Sequence, residues 1–384
     1  MKPLIIGLGV NGWNVARALW AGGVEPVVID NDRDSIFWRS RRLRPVHAER
    51  LCGPPLLRAL REVVCDGAPC LLISATEEAV DYLNSNRDQL PAALRLDFPE
   101  AGTVSALLDK KEFHRLARSA GCAIYPMYFF DRGWNVEGGI EQVKFPCILK
   151  TRRKMYVSGL AKAYRISGPA ELRHETERLA RLPGLDPRDL LLQQWVPGGD
   201  GDVIFCLQYY GPESRPLLSF TGRKIRQWPP GTGGTASAMP VQLPAAAEEA
   251  TRFFRSVNMR GLCSMEFKRS PADGSLSMIE PTVCRADYQE GTALVNGVNL
   301  PLAMYAAHAG LPPPPVREPP RPAIWVHVGP DYQSARKQGL TPWQWWRSLA
   351  GPKSYAVFTS EDVGPAAELL RRKLLGKWNR LLRR

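Results

Sequence analysis

The chain has 384 residues, 44% hydrophobic and 23% charged, enough for two or three domains with substantial cores and the composition of a globular protein. Its formal net charge of +13 calls for anionic company, whether nucleotide, phosphorylated intermediate, nucleic acid or membrane surface. Much of that excess sits in residues 39–50 (Arg39, Arg41, Arg42, Arg44, Arg50) and 371–384, so no single basic face suits a duplex and nucleic acid is not the expected partner.

Met1-Lys2-Pro3-Leu4-Ile5-Ile6-Gly7 runs straight into a strand, without the apolar h-region of a signal peptide. No apolar stretch approaches the roughly 20 residues that span a bilayer. The eight cysteines show no paired CxxC spacing and mostly lie in apolar runs, as reduced, buried thiols do. A cytoplasmic protein without disulfides or zinc is expected.

Leu4-Ile5-Ile6 and Val27-Val28-Ile29-Asp30 read as buried parallel strands flanking a helix that begins near Gly12. Cys70 to Ser74 reads as a later strand of the same sheet, with a helix over 77–89 behind it. Between the first strand and helix stands Gly7-Leu8-Gly9-Val10-Asn11-Gly12, and Asp30 occupies the place of a ribose-binding acid. The same glycines also serve simply to turn the chain and pack a helix on a sheet, and both readings stand at this point.

Asp109 caps a helix over 110–120 that ends at Gly121 and opens with Lys110. Beyond it the texture becomes strand-rich, with strands over 146–150, 190–196, 203–210, 262–268 and 276–280 and helices over 169–182 and 244–257. That pattern is an α+β body distinct from the leading α/β unit. Lys150 closes a buried apolar strand, which packing does not explain; with Lys110 it could bring two ammonium groups to nucleotide phosphates, while each taken singly also reads as a solvated strand or helix end. Gln193-Gln194-Trp195-Val196-Pro197-Gly198 is an apolar strand breaking into a loop, where backbone groups at Trp195 and Val196 can read an adenine edge. Residues 220–235 combine Arg223, Lys224 and Arg226 with glycines and threonines and read as a flexible cationic loop able to meet a carboxylate or acyl-phosphate.

Glu266 and Glu280 lie fourteen positions apart, with a turn-like Pro271-Ala272-Asp273-Gly274 between them. They read as acids at matching heights on one face of a hairpin. Two such carboxylates suit Mg²⁺, which takes one or two acids plus substrate phosphates. Arg285 follows closely, with a fork of donors for a phosphate or carboxylate.

In order and spacing these segments resemble the ATP-grasp superfamily over roughly residues 1–312. The branch is that of carboxylate–amine ligases, which includes D-aspartate ligase and the ATP-binding domain of carbamoyl-phosphate synthetase large subunits. The resemblance implies a mixed α/β and α+β fold. A Rossmann-like pre-ATP-grasp domain would cover 1–105 and an ATP-grasp domain of two subdomains 106–311. A proline-rich linker over 312–322 would lead to a tryptophan-rich segment over 323–384. It implies ATP and Mg²⁺ as cofactors, with Lys110 and Lys150 on the phosphates, Gln193, Gln194, Trp195 and Val196 around adenine, and Glu266, Glu280 and Thr282 at the metal. Arg226, Arg285 and Lys224 are then the catalytic cations for an acyl-phosphate formed between small carboxylate and amine substrates, in cell-envelope or polysaccharide biosynthesis among other settings. Three positions depart from the family pattern: Thr282 replaces the usual Asn, Gln194 replaces Glu, and the loop after Lys150 is not glycine-rich.

Two rival readings remain, a nicotinamide-dependent oxidoreductase built on Gly7, Gly9, Gly12 and Asp30, and a catalytically weakened ATP-grasp binding protein signalled by Thr282. At the C-terminus Ala367, Leu370, Leu374, Trp378 and Leu381 repeat at helical spacing among Arg371, Arg372, Lys373, Lys377, Arg380, Arg383 and Arg384. This helix either docks its apolar stripe on the Trp343-Trp345-Trp346 region or lies on an anionic membrane face.

Overall fold

The computed structural model of the chain describes residues 1–131, 133–317 and 319–381. The leading sheet has five parallel strands in the order Pro45–His47, Val27–Asp30, Lys2–Ile6, Cys70–Ser74, Leu94–Leu96. Strict alternation explains why its central strand is apolar throughout. Leu4 and Ile6 pack with Leu56, Leu60 and Val80 on one face, while Ile5 packs with Trp13, Val15 and Leu19 of the helix Val10–Trp20 on the other. Chain order reverses between Lys2–Ile6 and Cys70–Ser74, so the loops leaving their carboxyl ends diverge and open a crevice.

The glycine motif is explained by packing. Gly7 has φ of +88°, and a Cβ on Gly12 would stand 1.9 Å from the Gly7 carbonyl oxygen, so helix and turn can meet only without side chains there. Asp30 is buried, and its carboxylate accepts from the Leu8 N–H at 3.0 Å, the Asp32 N–H at 3.3 Å and the Trp38 indole at 2.7 Å. That carboxylate braces its own turn, so the dinucleotide reading loses the acid it needs for a ribose.

The second body holds a four-stranded sheet (Met127–Phe129, Leu190–Gln194, Cys147–Thr151, Ala163–Ile166) and a seven-stranded one. In the latter the order is Leu276–Val283, Gly261–Arg269, Val203–Tyr210, Pro216–Trp228, Gly234–Pro240, Ile324–Val326, Lys353–Tyr355. The expected hairpin is present, with Glu266 directly opposite Glu280. Residues 220–228 correct the sequence reading, because they are not a flexible loop but the last nine residues of the 13-residue strand Pro216–Trp228. Cations at alternating positions look solvated in sequence, yet Lys224 is 2% exposed and Arg226 4%, both facing inward. Each has an anion far along the chain, Glu266 at 2.7 Å for Lys224 and Asp331 at 2.7 Å for Arg226. Six of the eight cysteines are buried and all are free, as their apolar flanks imply.

After the proline run, Ile324–Val326 adds antiparallel to Gly234–Pro240, and Lys353–Tyr355 adds parallel to it at the sheet edge. Asp331, fully buried on the helix Val328–Lys337, clamps this region to the central strand. It accepts two bonds from the Arg226 guanidinium, one from the Trp345 indole at 2.7 Å and one from the Ser237 hydroxyl. Among the described side chains of the last helix, Gly364–Leu381, none packs in the cluster that holds Trp345. Ala366 and Leu369 instead pack on the cluster holding Trp13, Trp20 and Phe37 of the leading domain, while Leu370, Leu374 and Leu375 stay exposed. Arg383 and Arg384, and the side chains of Lys377, Trp378, Arg380 and Leu381, lie outside the described residues. Among the described residues no helix is long and apolar enough to cross a membrane.

Asp331→Ala is expected to lower stability by about 3–5 kcal/mol, because it leaves the Arg226 guanidinium buried without a counter-charge. Urea unfolding should show a lower midpoint, and Arg226→Met combined with Asp331→Leu should recover most of the loss. A midpoint unchanged in Asp331→Ala would show that the clamp contributes nothing.

Candidate functional site

A cavity of about 740 Å³ opens where the four-stranded sheet, the Glu266–Glu280 hairpin and the crevice of the leading sheet converge. At one end is the hinge, Gln193, Gln194, Trp195 and Val196, which lines it as the sequence predicts. The Gln194 N–H donates to the Pro126 carbonyl and the Trp195 N–H to the Pro146 carbonyl, both at 3.1 Å. The Trp195 amide is thus committed to the backbone, so of the two amides expected to read an adenine edge it is the one not free to do so. The Trp195 ring is fixed between the Arg165 guanidinium, 4.8 Å from its centroid, and Gly231, where a Cβ would touch it at 3.4 Å.

The middle of the cavity is cationic. Asp109 caps the helix Lys110–Ser119 through the Lys111 and Glu112 N–H groups and also binds Arg152 at 2.7 Å, which sets Lys110 at the cavity wall. Lys150, one residue before the end of its strand, is half-buried on the cavity wall, and desolvation pulls its ammonium down to about 8 against the opposing pull of Glu280. Burial alone would raise the Glu280 carboxyl. Lys150, Lys162, Lys110 and Lys224 together hold it down at about 2. The cavity lining carries six lysines and Arg285 against four acids, Glu77, Glu266, Glu280 and Asp287, an excess of positive charge that a polyanion would balance, and that is the observation that fits the triphosphate of ATP to these residues.

Beside this cluster Glu266 shares one oxygen between Lys224, at 2.7 Å, and the Gln289 amide, at 2.9 Å. Lys224 also donates to Gln227 at 3.1 Å. Among the described residues no three His, Cys, Asp or Glu side chains gather as a metal site. The protein's contribution would therefore be the facing pair Glu266 and Glu280, which suits a hard ion completed by phosphate oxygens and water. Thr282 lines the cavity, but its hydroxyl accepts from Arg285 at 3.4 Å and so serves the arginine as much as any metal. Arg285 reaches Glu77 at 3.8 Å across the domain junction, where the Ala286 N–H pairs with the Ser74 carbonyl at 2.9 Å. That pairing locks the Glu266–Glu280 hairpin to the carboxyl end of the leading sheet.

The structure thus gathers every site residue expected from the sequence except Arg226. Its guanidinium is spent on Asp331 outside the cavity, so it is withdrawn as a catalytic cation. Sequence reasoning missed Lys162, Asp287, Gln289 and Asp200. Lys162 had only one signal, the run of cations after Lys150. Asp200 accepts from the Gln227 N–H at 2.9 Å and side chain at 3.1 Å, the Gly231 N–H at 2.9 Å and the Gln338 amide at 2.9 Å, so it sets the residue that holds Lys224. No local pattern announces such a hub.

No family model and no curated protein matches the chain. Solved structures do. An ADP complex of an N5-carboxyaminoimidazole ribonucleotide synthetase superposes with a TM-score of 0.67 at 14% identity, over 88% of this chain and 84% of that one. The Staphylococcus aureus N5-carboxyaminoimidazole synthetase, also complexed with ADP, gives 0.65 at 14% identity, over 85% and 82%. An L-amino acid ligase from Bacillus licheniformis gives 0.57 at 14% identity, over 79% and 73%. The chain has the ATP-grasp fold that the sequence resemblance implied.

The position of Lys150 predicts a proton linkage. With its folded value near 8, Lys150 is charged below that pH and neutral above it, and a bound polyanion favours the charged form. ATP affinity should fall as pH rises from about 7 to about 9.5, with up to about one proton taken up on binding in between. Calorimetry in buffers of differing ionisation enthalpy reads this directly. Lys150→Met should abolish the uptake, and equal uptake in that variant would assign the proton elsewhere.

Proposed function

We propose that the protein is an ATP-dependent carboxylate–amine ligase acting on small molecules. The observation that carries this reading is that Lys110, Lys150, Lys162 and Lys224, the opposed Glu266 and Glu280, and the hinge residues 193–196 all line one cavity. The relatives in fold support it through two ADP complexes and an amino acid ligase.

In the proposed reaction a substrate carboxylate oxygen attacks the γ-phosphorus while the bond to the ADP oxygen breaks, giving an acyl-phosphate and ADP. The amine nitrogen then attacks the acyl carbon, phosphate departs with the electrons of the C–O bond, and the nitrogen's proton passes to solvent. Mg²⁺ held by Glu266 and Glu280, with Thr282 beside them, would neutralise charge on the phosphates. Lys110, Lys150 and Lys162 orient the triphosphate. Lys224, held by Glu266 and Gln227, and Arg285, held near Thr282 and Glu77, face the charge that develops during transfer. Acceptors of cell-envelope or polysaccharide biosynthesis belong in the first substrate panel. A weakened, non-catalytic ATP-binding role is the second reading, favoured by Thr282 where the family carries Asn.

We assign the protein to the cytoplasm, with peripheral contact at an anionic membrane face through the C-terminal helix. Exposed Leu370, Leu374 and Leu375 beside Arg371, Arg372 and Lys373 support that contact.

ATP with Mg²⁺ should raise the thermal midpoint while NADH does not, by about 2.7 kcal/mol at a hundredfold excess over the dissociation constant. A shift with NADH and none with ATP would sink the ligase reading. Phosphate release with a panel of amino acids and envelope precursors should be lost in Glu280→Gln while nucleotide binding persists, and Lys150→Ala should weaken binding itself. Wild-type turnover in Glu280→Gln at limiting Mg²⁺ would reduce the acid pair to a hairpin.

A further inference from the structure

The chain from Tyr332 to Ser360 carries Arg336, Lys337, Arg347 and Lys353 and no acidic residue, and none of these cations enters the site described above. The same stretch leaves three large rings in water: Trp343 is 66% exposed, Trp346 53% and Phe358 50%. They form one surface. Trp343 and Trp346 stand three residues apart on the short helix Pro342–Ser348, so they share a face. The Lys353 ammonium lies 5.1 Å from the Trp346 ring centroid. Lys353 and Tyr355 alternate along the edge strand and point the same way, and Phe358 meets the Tyr355 ring at 6.4 Å. The plate therefore runs from Trp343 over Trp346 and Lys353 to Phe358. Trp345, between the two exposed indoles, turns inward to Asp331 and anchors the helix that presents them.

Folding does not require these rings to be outside, since the neighbouring Trp325 and Trp345 are accommodated within. Exposed indoles beside cations, with the next acid in the chain, Glu361, paired with Arg42 at 3.8 Å, match the interface of a bilayer with anionic headgroups. There indole rings seat at headgroup level and each nearby cation adds electrostatic attraction. A second copy of the chain fits poorly, because a self-complementary contact would set the plate's cations against the same cations. Single-stranded nucleic acid, the other polyanion that stacks on aromatics, is read by a groove that tracks its backbone, whereas this plate rides on a projecting helix and a sheet edge.

We propose that the Trp343–Trp346–Lys353–Phe358 plate docks the protein on an anionic membrane surface, inserting the two indoles at the headgroup boundary. This does not depend on the ligase reading, nor on the C-terminal helix, whose contribution can be read separately.

The test uses the full chain and vesicles of phosphatidylcholine with or without phosphatidylglycerol. The protein should sediment with the anionic vesicles only, lose binding in high salt, and show tryptophan emission quenched by brominated acyl chains. Trp343→Ala combined with Trp346→Ala should lower partitioning at least tenfold and remove the quenching, and Arg347→Glu with Lys353→Glu should do likewise. Both pairs should keep the wild-type thermal midpoint and nucleotide response. Leu374→Glu with Leu375→Glu, on the C-terminal helix, should leave the quenching in place. Undiminished vesicle binding in the Trp343/Trp346 variant overturns the proposal. So does absence of binding to either vesicle, retention of an oligonucleotide in place of vesicles, or a concentration-dependent dimer that shields these indoles.

Discussion

Everything in the site follows from a half-buried carboxylate that shares one cavity wall with several lysines. Glu280 stays ionised against desolvation because the charges of Lys150, Lys162, Lys110 and Lys224 favour its anion, and desolvation in turn lowers the Lys150 ammonium. Such a cluster is costly to assemble unless its charges are paired. Its elements come from both sheets of the second body and from the helix at its start, so the arrangement is a constraint on the whole body rather than on one hairpin. Excess positive charge beside a facing acid pair suits a phosphate chain with a divalent ion, and the hinge wall supplies the rest of a nucleotide's outline.

The second constraint is the strand Pro216–Trp228, which carries the inward cations. Its outer neighbour is completed by Ile324–Val326, and its Arg226 is held by Asp331 from the same late stretch of chain. Asp200 adds a second brace, joining Gln227, the Gly231 loop and Gln338. The segment beyond the proline run therefore steadies the strand on which Lys224 sits. Loss of that support would act on the site without touching it.

Much of this was legible in the sequence, for identifiable reasons. Strands with strict apolar runs, the Asp109 cap, the facing acids and the strand-end lysine each leave a local signature, and their order carried the ATP-grasp resemblance. What escaped notice depends on partners distant in the chain. Arg226 looked like a loop cation because Asp331 lies 105 residues away. Asp30 looked like a ribose acid because nothing local shows its bonds to Leu8 and Trp38. The apolar stripe of the C-terminal helix left two seats open in the sequence, the tryptophan-rich segment or a membrane face, whereas Ala366 and Leu369 pack against the cluster of Phe37 and Trp13. Periodicity shows that a face is apolar without showing what it covers.

A crystal structure with a non-hydrolysable ATP analogue and Mg²⁺ tests the central claim most directly. The account predicts the base against Val196, the phosphates in hydrogen-bond reach of the Lys110 and Lys150 ammonium groups, and the ion between Glu266 and Glu280. A nucleotide seated instead on the Gly7–Gly12 turn, or an analogue that leaves the lysine cluster without an anion, would contradict it.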